Sequence, residues 1–138
     1  MAKEEKQLRR AANAAQFSDF KKQQLGAVLT YKNKVLAVGW NSTKTHPLQK
    51  EYNKLRFEED NTPHSLHAEM SAILSARHLD VDWTECTMYV SRQLKSGKSG
   101  MARPCPSCMA ALKKLGIPKI VYTTYDGYAV EHIKKEAV

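Results

Sequence analysis

A chain of 138 residues is long enough to bury a core without disulfide staples and fits a single domain. Its apolar and charged fractions, 42% and 26%, are those of an ordinary globular protein, and no apolar run approaches the roughly 18–20 residues that a membrane-spanning helix needs. Lys and Arg number 22 against 14 Asp and Glu, and the resulting charge of +8 favours an anionic partner such as a phosphate, although the scattered basic residues also suit a plain solvated surface.

The opening Met1-Ala2-Lys3-Glu4-Glu5-Lys6 is charged and leads into no signal-peptide core, so a cytoplasmic location is expected. Residues from about Lys3 to Lys22 contain neither Gly nor Pro and are rich in alanine. Leu8, Ala11, Ala12, Ala15 and Phe20 recur at helical spacing, which predicts a helix over this stretch. The runs Leu25–Tyr31 and Lys34–Trp40 flank Lys32-Asn33 and read as a β-hairpin. Between Asn41 and Ser65 the pattern turns polar and irregular. A short helix carrying Leu48, Tyr52, Leu55 and Phe57 would end at Asp60-Asn61-Thr62-Pro63, and a connection of this length suggests a binding element.

Ser65 is placed to cap a second helix running through Met70, Ile73, Leu74 and Arg77. Glu85–Leu94 reads as a strand, and Lys95-Ser96-Gly97-Lys98-Ser99-Gly100 as a flexible basic stretch without the spacing of a phosphate loop. Pro106–Leu115 is helical, with Gly116 ending it and Pro118 beyond. Ile120–Thr124 is a strand. Too few residues follow it for a crossover of a dozen or more and another strand, so Tyr128–Ile133, entered through the Asp126-Gly127 turn, should lie antiparallel to its predecessor. The expected architecture is a three-layer α/β/α domain around a mixed sheet of about five strands, undivided by any linker from residue 1 to 138.

The chemistry concentrates in two segments, His67-Ala68-Glu69 and Pro104-Cys105-Pro106-Ser107-Cys108. The cysteines number three, an odd count, with two in Cys-x-x-Cys; metal binding in a reducing compartment is favoured over a disulfide framework. His67, Cys105 and Cys108 offer three good zinc ligands, which leaves a fourth position for water. A purely structural site would recruit His64 or Cys86 as a fourth ligand, whereas Cys86 on its strand is most simply a buried thiol. Both segments begin helices, where the unpaired N–H groups and the helix dipole favour thiolate and other negative charge. Glu69, two residues from His67, fits a catalytic site better than a structural one, because a non-ligating carboxylate can take the proton of a zinc-acidified water.

With His-x-Glu followed by Pro-Cys-x-x-Cys, the chain resembles the cytidine/deoxycytidylate deaminase superfamily of zinc-dependent nucleoside and nucleotide deaminases, from the first hairpin to the last strand. The resemblance implies Zn2+ on His67, Cys105 and Cys108, and Glu69 as proton shuttle between water, ring nitrogen and departing ammonia. It further implies substrate contacts from Ala68, through its amide, and from Asn41 at the end of the second strand, with Pro104 and Arg103 beside the ligand loop. The implied partner is a small cytosine nucleoside or nucleotide. A single-stranded nucleic acid bound on basic loops, with Trp40, Tyr52 or Tyr125 stacking on bases, is the alternative, and a non-catalytic zinc module is the remaining one. A homo-oligomer is common in the superfamily. Arg92–Arg103 is longer than usual here, resembles phage-associated members, and carries Arg92, Lys95, Lys98 and Arg103 as candidate phosphate contacts. The antiparallel ending resembles free-nucleoside deaminases, while the His ligand resembles the deoxycytidylate and polynucleotide branches.

Overall fold

The computed structural model describes residues 2–20, 23–45, 47, 49 and 65–134. The expected short helix around Leu48, Tyr52, Leu55 and Phe57 lies outside the described residues, as does His64.

The hairpin forms as anticipated. β1 (Gln24–Tyr31) and β2 (Lys34–Trp40) pair antiparallel across Lys32 and Asn33, whose positive φ values of 49° and 69° are those of the primed two-residue turn that matches strand twist. A register shift beside Leu29/Thr30 sets one bulge into the pair. β1 also pairs antiparallel with β5 (Cys86–Gln93), which in turn pairs parallel with β7 (Lys119–Thr123), and β7 pairs antiparallel with β8 (Tyr128–His132). The sheet order is β2-β1-β5-β7-β8, with the two-residue β6 (Ser99–Gly100) on β5. The last strand is thus antiparallel, as the short tail required. β3 (Ser42–Thr45) and β4 (Ser65–Leu66) form a separate two-stranded ribbon.

Side-chain alternation divides the sheet into two faces. Val28, Tyr89 and Val121 meet Leu8 and Ala11 of α1 (Lys3–Ala15) on one side. Ala27, Leu29, Met88, Val90, Ile120 and Tyr122 face the other side, where they join a core with Met70, Ala72 and Ile73 of α2 (Ala68–Ala76) and Ala111 and Leu112 of α3 (Pro106–Leu115). The three-layer α/β/α arrangement follows. Two glycines set how closely the layers approach. A Cβ on Gly26 would meet Ala11 O and lie 2.6 Å from Ala15 N, so α1 rests on the backbone of β1. A Cβ on Gly39 would meet Ala72 N and lie 2.6 Å from Ala68 O, so α2 likewise rests on the backbone of β2.

Four expectations are corrected. The first helix stops at Ala15, not Lys22, with Gln16 as its C-cap; Phe17 stands exposed and the Ser18 hydroxyl accepts the Phe20 N–H, which bends the chain away from helix. Ala14, not Ala12, is buried beside Leu8 and Ala11. Ser65 is not the cap of the second helix, because it is drawn into β4, and His67 takes the N-cap position with extended φ/ψ of −82°/155°. Lys95–Gly100 is a tight hairpin: Leu94 N–H donates to Lys98 O at 2.9 Å and Gly97 takes φ 85°. Gly116 ends α3 with φ 89°, while its N–H and that of Ile117 return to Leu112 O at 3.0 Å, the closure expected of a glycine after a helix.

Candidate metal centre and cleft

α2 and α3 both start at the sheet end where β2 and β5 finish and β1 begins, and both pack on the same face. Their first turns therefore converge, in the crevice beyond strand ends where α/β folds place ligands. His67 is the N-cap of α2 and Cys105, with φ/ψ of −69°/167°, is the N-cap of α3. Cys108 stands three positions on, so the two thiols have the N-cap-to-third-residue relation that brings side chains together in a capping box. Pro106 fits the first helical position because no N–H is needed there.

His67 Nδ1 lies 3.3 Å from Cys108 Sγ and 3.4 Å from Cys105 Sγ. All three ligand atoms fall within 4.8 Å of one another. A tetrahedral zinc with Zn–S of about 2.3 Å and Zn–N of about 2.0 Å separates its N and S donors by about 3.6 Å, so the cluster fits that ion in donor type and spacing. Two sulfurs and one imidazole also select zinc over magnesium or calcium, which prefer oxygen. The Ser107 hydroxyl, fully buried, sits 3.0 Å from Cys105 Sγ, and Gln49 Oε1 accepts the His67 N–H at 3.1 Å. Both steady residues of the cluster, as second partners do in metal sites; neither was anticipated, because polar residues of this kind carry no spacing signal.

Bonds from Cys108 hold the Cys105 thiol down to about 3, despite burial, with His67 and Ser107 adding to the effect. Cys108 is pushed up by the bond it donates to Cys105 and by burial. Glu69 is 4% exposed, and burial raises its carboxyl against the lowering influence of His67. Burial makes a carboxylate a stronger proton acceptor than it is in water.

A cleft of about 320 Å³ opens beside these groups, lined by His67, Ala68, Glu69 and Cys105 with Asn41, Arg92, Arg103 and apolar Phe20, Leu25, Leu66 and Met101 among others. Asn41 reaches the cleft wall, but its Oδ1 accepts Leu25 N–H at 3.0 Å and its Nδ2 donates to Gln23 O at 2.8 Å, clamping the ends of β1 and β2 together. One amide hydrogen and one lone pair are then left over for a ligand. Arg103 lines the cleft with its guanidinium held by Glu131 through bonds of 2.7 and 3.1 Å. Pro104 is buried and does not line the cleft. Phe20, expected on a helix stripe, is a cleft residue instead.

Cys86 begins β5, whereas Arg92 near that strand's other end meets the cleft, about 20 Å away at strand rise. A fourth ligand from Cys86 is thereby excluded, and burial pushes its thiol up to about 11. Trp40 packs on Phe17 with centroids 5.2 Å apart, Tyr125 stands exposed on the β7–β8 turn, and Tyr52 lies outside the described residues. No helix among the described residues is long and apolar enough to cross a membrane.

Residues 1–124 match the family model described as the cytidine and deoxycytidylate deaminase zinc-binding region. The deoxycytidylate deaminase of Enterobacteria phage T4 is 34% identical over 90 residues, which is 64% of this chain and 41% of the phage protein. The chain thus matches about two fifths of that relative's length. Among solved structures, a cytidine deaminase from Burkholderia pseudomallei superposes with a TM-score of 0.65 at 20% identity, covering 93% of this chain and 91% of that one. A dCMP deaminase from the cyanophage S-TIM5 in apo form gives a TM-score of 0.63 at 22% identity, covering 88% and 82%. At such identities the likeness is one of fold.

Proposed function

The chain belongs to the cytidine and deoxycytidylate deaminase zinc-binding family, and from that premise we propose that it is a single-domain hydrolase that removes ammonia from the cytosine ring of a nucleoside or nucleotide, leaving uracil. The observation that carries this reading is the convergence of His67 Nδ1 and the Cys105 and Cys108 sulfurs beside the buried Glu69 in one cleft. His67, Cys105 and Cys108 are the zinc ligands. Bound there, zinc supplies the acidified water that serves as nucleophile at neutral pH.

Glu69 moves the protons. Its carboxylate accepts one from the water and delivers it to the ring nitrogen next to the amino group, and a later transfer lets the amine leave as ammonia. Because the acid and the base are one residue, the site needs no second titrating group on the reacting face. Ala68, at the first position of α2, has an N–H without an intrahelical acceptor and donates it to the ring carbonyl. Asn41 clamps the strand ends and offers its remaining hydrogen-bonding capacity to base or sugar. Pro104 acts indirectly, by fixing the entry into the ligand loop. Leu25, Leu66 and Phe20 give the cleft an apolar side against which a ring can lie. The protein works without a membrane, in the cytoplasm, as a homo-oligomer.

The test is ammonia release from cytidine, deoxycytidine, CMP, dCMP and a cytosine-containing single strand, each supplied separately to the zinc-loaded protein. Turnover of a free nucleoside or nucleotide supports the proposal. Turnover of the strand alone would make it a polynucleotide deaminase, and no release from any of the five would remove cytosine as the substrate.

A further inference from the structure

The end of β5 and the segment that joins it to α3 carry four cations, Arg92, Lys95, Lys98 and Arg103, and the fold treats them differently. Lys95 and Lys98 are exposed on the hairpin turn and take no part in the cleft wall. Arg103 lines the cleft, but its Nε and Nη2 both donate to Glu131, which already neutralises its charge. Arg92 lines the cleft with no acidic partner among the described residues, and its Nε is buried without a hydrogen-bond acceptor. Buried donors are almost always paired, and a guanidinium donor is among the costliest to leave unpaired, so an unpaired one on a side chain that lines the cleft points to an acceptor that arrives with a ligand.

The backbone beneath Arg92 is fixed. Its N–H donates to Thr123 Oγ1 at 3.1 Å, and the Thr123 hydroxyl donates to Gly100 O at 2.7 Å, tying β5, β6 and β7 at one point. Gly100 faces Arg92 across β6, and a Cβ there would come within 3.1 Å of Arg92 Cδ and 3.3 Å of its Cγ. The bare glycine is the bed on which the side-chain stem lies. A preorganised, planar, permanently charged fork is the group best matched to phosphate oxygens, and the cleft volume of about 320 Å³ lies in the range of small-molecule sites.

We infer that Arg92 is the specificity-determining residue of the cleft and that it holds a phosphate monoester on the substrate, which makes that substrate a nucleotide and not a nucleoside. The inference rests on the deaminase reading of the cleft.

Zinc-loaded wild type, Arg92→Gln and Arg92→Lys are compared for kcat/KM on dCMP and deoxycytidine, which differ only in the phosphate. Zinc content and circular dichroism are matched among the three. The wild type should prefer dCMP, and Arg92→Gln should lower the dCMP-to-deoxycytidine ratio roughly 10- to 100-fold. Lysine should restore part of the ratio, as a point charge without the fork. Wild-type preference for deoxycytidine, or an unchanged ratio in Arg92→Gln, would overturn the inference; equal loss on both substrates would mark Arg92 as structural and overturn it too. Turnover of a single strand alone would overturn the monoester. If no cytosine compound turns over, the deaminase reading fails by itself, and calorimetric binding of inorganic phosphate decides on Arg92: weakened binding in Arg92→Gln supports it, equal binding overturns it.

Discussion

A methyl group added to Gly39 should damage the metal site without touching it. The new Cβ would meet Ala72 N and stand 2.6 Å from Ala68 O and 2.9 Å from Ser71 Cβ. Two of these are helix backbone, so no side chain can swing aside. Ordinary contact needs about 3.5 Å, and α2 must therefore back away from β2 by about 1 Å. Overpacking of this kind costs about 1–3 kcal/mol, which for a chain of 138 residues lowers Tm by roughly 4–12 °C. α2 carries His67 at its N-cap and Glu69 in its first turn. Metal–ligand distances tolerate only about 0.2 Å, so Gly39→Ala should also weaken zinc binding, by about 10- to 100-fold, the loss typical when a ligand's support is disturbed.

Gly26→Ala is the control. Its Cβ would meet Ala11 O and come within 2.6 Å of Ala15 N, displacing α1, which bears none of the site. It should lose at least as much stability while keeping wild-type zinc affinity. Urea unfolding of the chelator-treated proteins and zinc titration against a competing indicator provide the two readouts. Zinc affinity unchanged in Gly39→Ala, or weakened as much in Gly26→Ala, would refute the claim that the packing of α2 on β2 positions the site.

Three further outcomes are expected. Cys105→Ser and Cys108→Ser should each lose bound zinc by elemental analysis, whereas Cys86→Ala should retain one zinc per chain and lose only stability, because its thiol is buried away from the cleft. Ser107→Ala should keep zinc but bind it more weakly, since the hydroxyl bond to Cys105 helps hold the thiolate. Glu131→Gln should destabilise by at most about 1 kcal/mol at neutral pH, the pair being partly solvent-exposed. The Glu131 carboxyl is held below its ordinary value of 4.5 by its bonds to Arg103 and Tyr122. Its contribution is therefore complete above 4.5 and fades as the pH falls through the lowered folded value, so urea midpoints of variant and wild type should converge in acid.

What could be read from the residues was whatever depends on neighbours in the chain. Lys32-Asn33 announced its turn, Gly116 its helix end, and the shortness of the tail after Thr124 its antiparallel strand. His67, Glu69, Cys105 and Cys108 stood out because zinc chemistry uses those types at that spacing, and the donor atoms of the histidine and both cysteines lie together in the fold. What escaped depends on contacts distant in sequence. The alanine-rich run after Ala15 has helical propensity, yet the chain turns there so that Phe20 reaches the cleft. Ser65 lost the cap to His67 because β3 captures it. Arg92 and Arg103 look alike in sequence, and only the partnership with Glu131, 28 residues from Arg103, sets them apart. Asn41 could be placed in the cleft from its strand-end position, but its bonds to β1 could not be foreseen.

The central claim is that Glu69 moves protons and does not hold the metal, and Glu69→Ala tests it in one measurement: the rate of ammonia release from the protein's best cytosine substrate at full zinc loading. The variant should keep one zinc per chain while kcat falls by about 10²- to 10⁴-fold. A variant that still turns over within tenfold of wild type, or that no longer retains zinc, would contradict it.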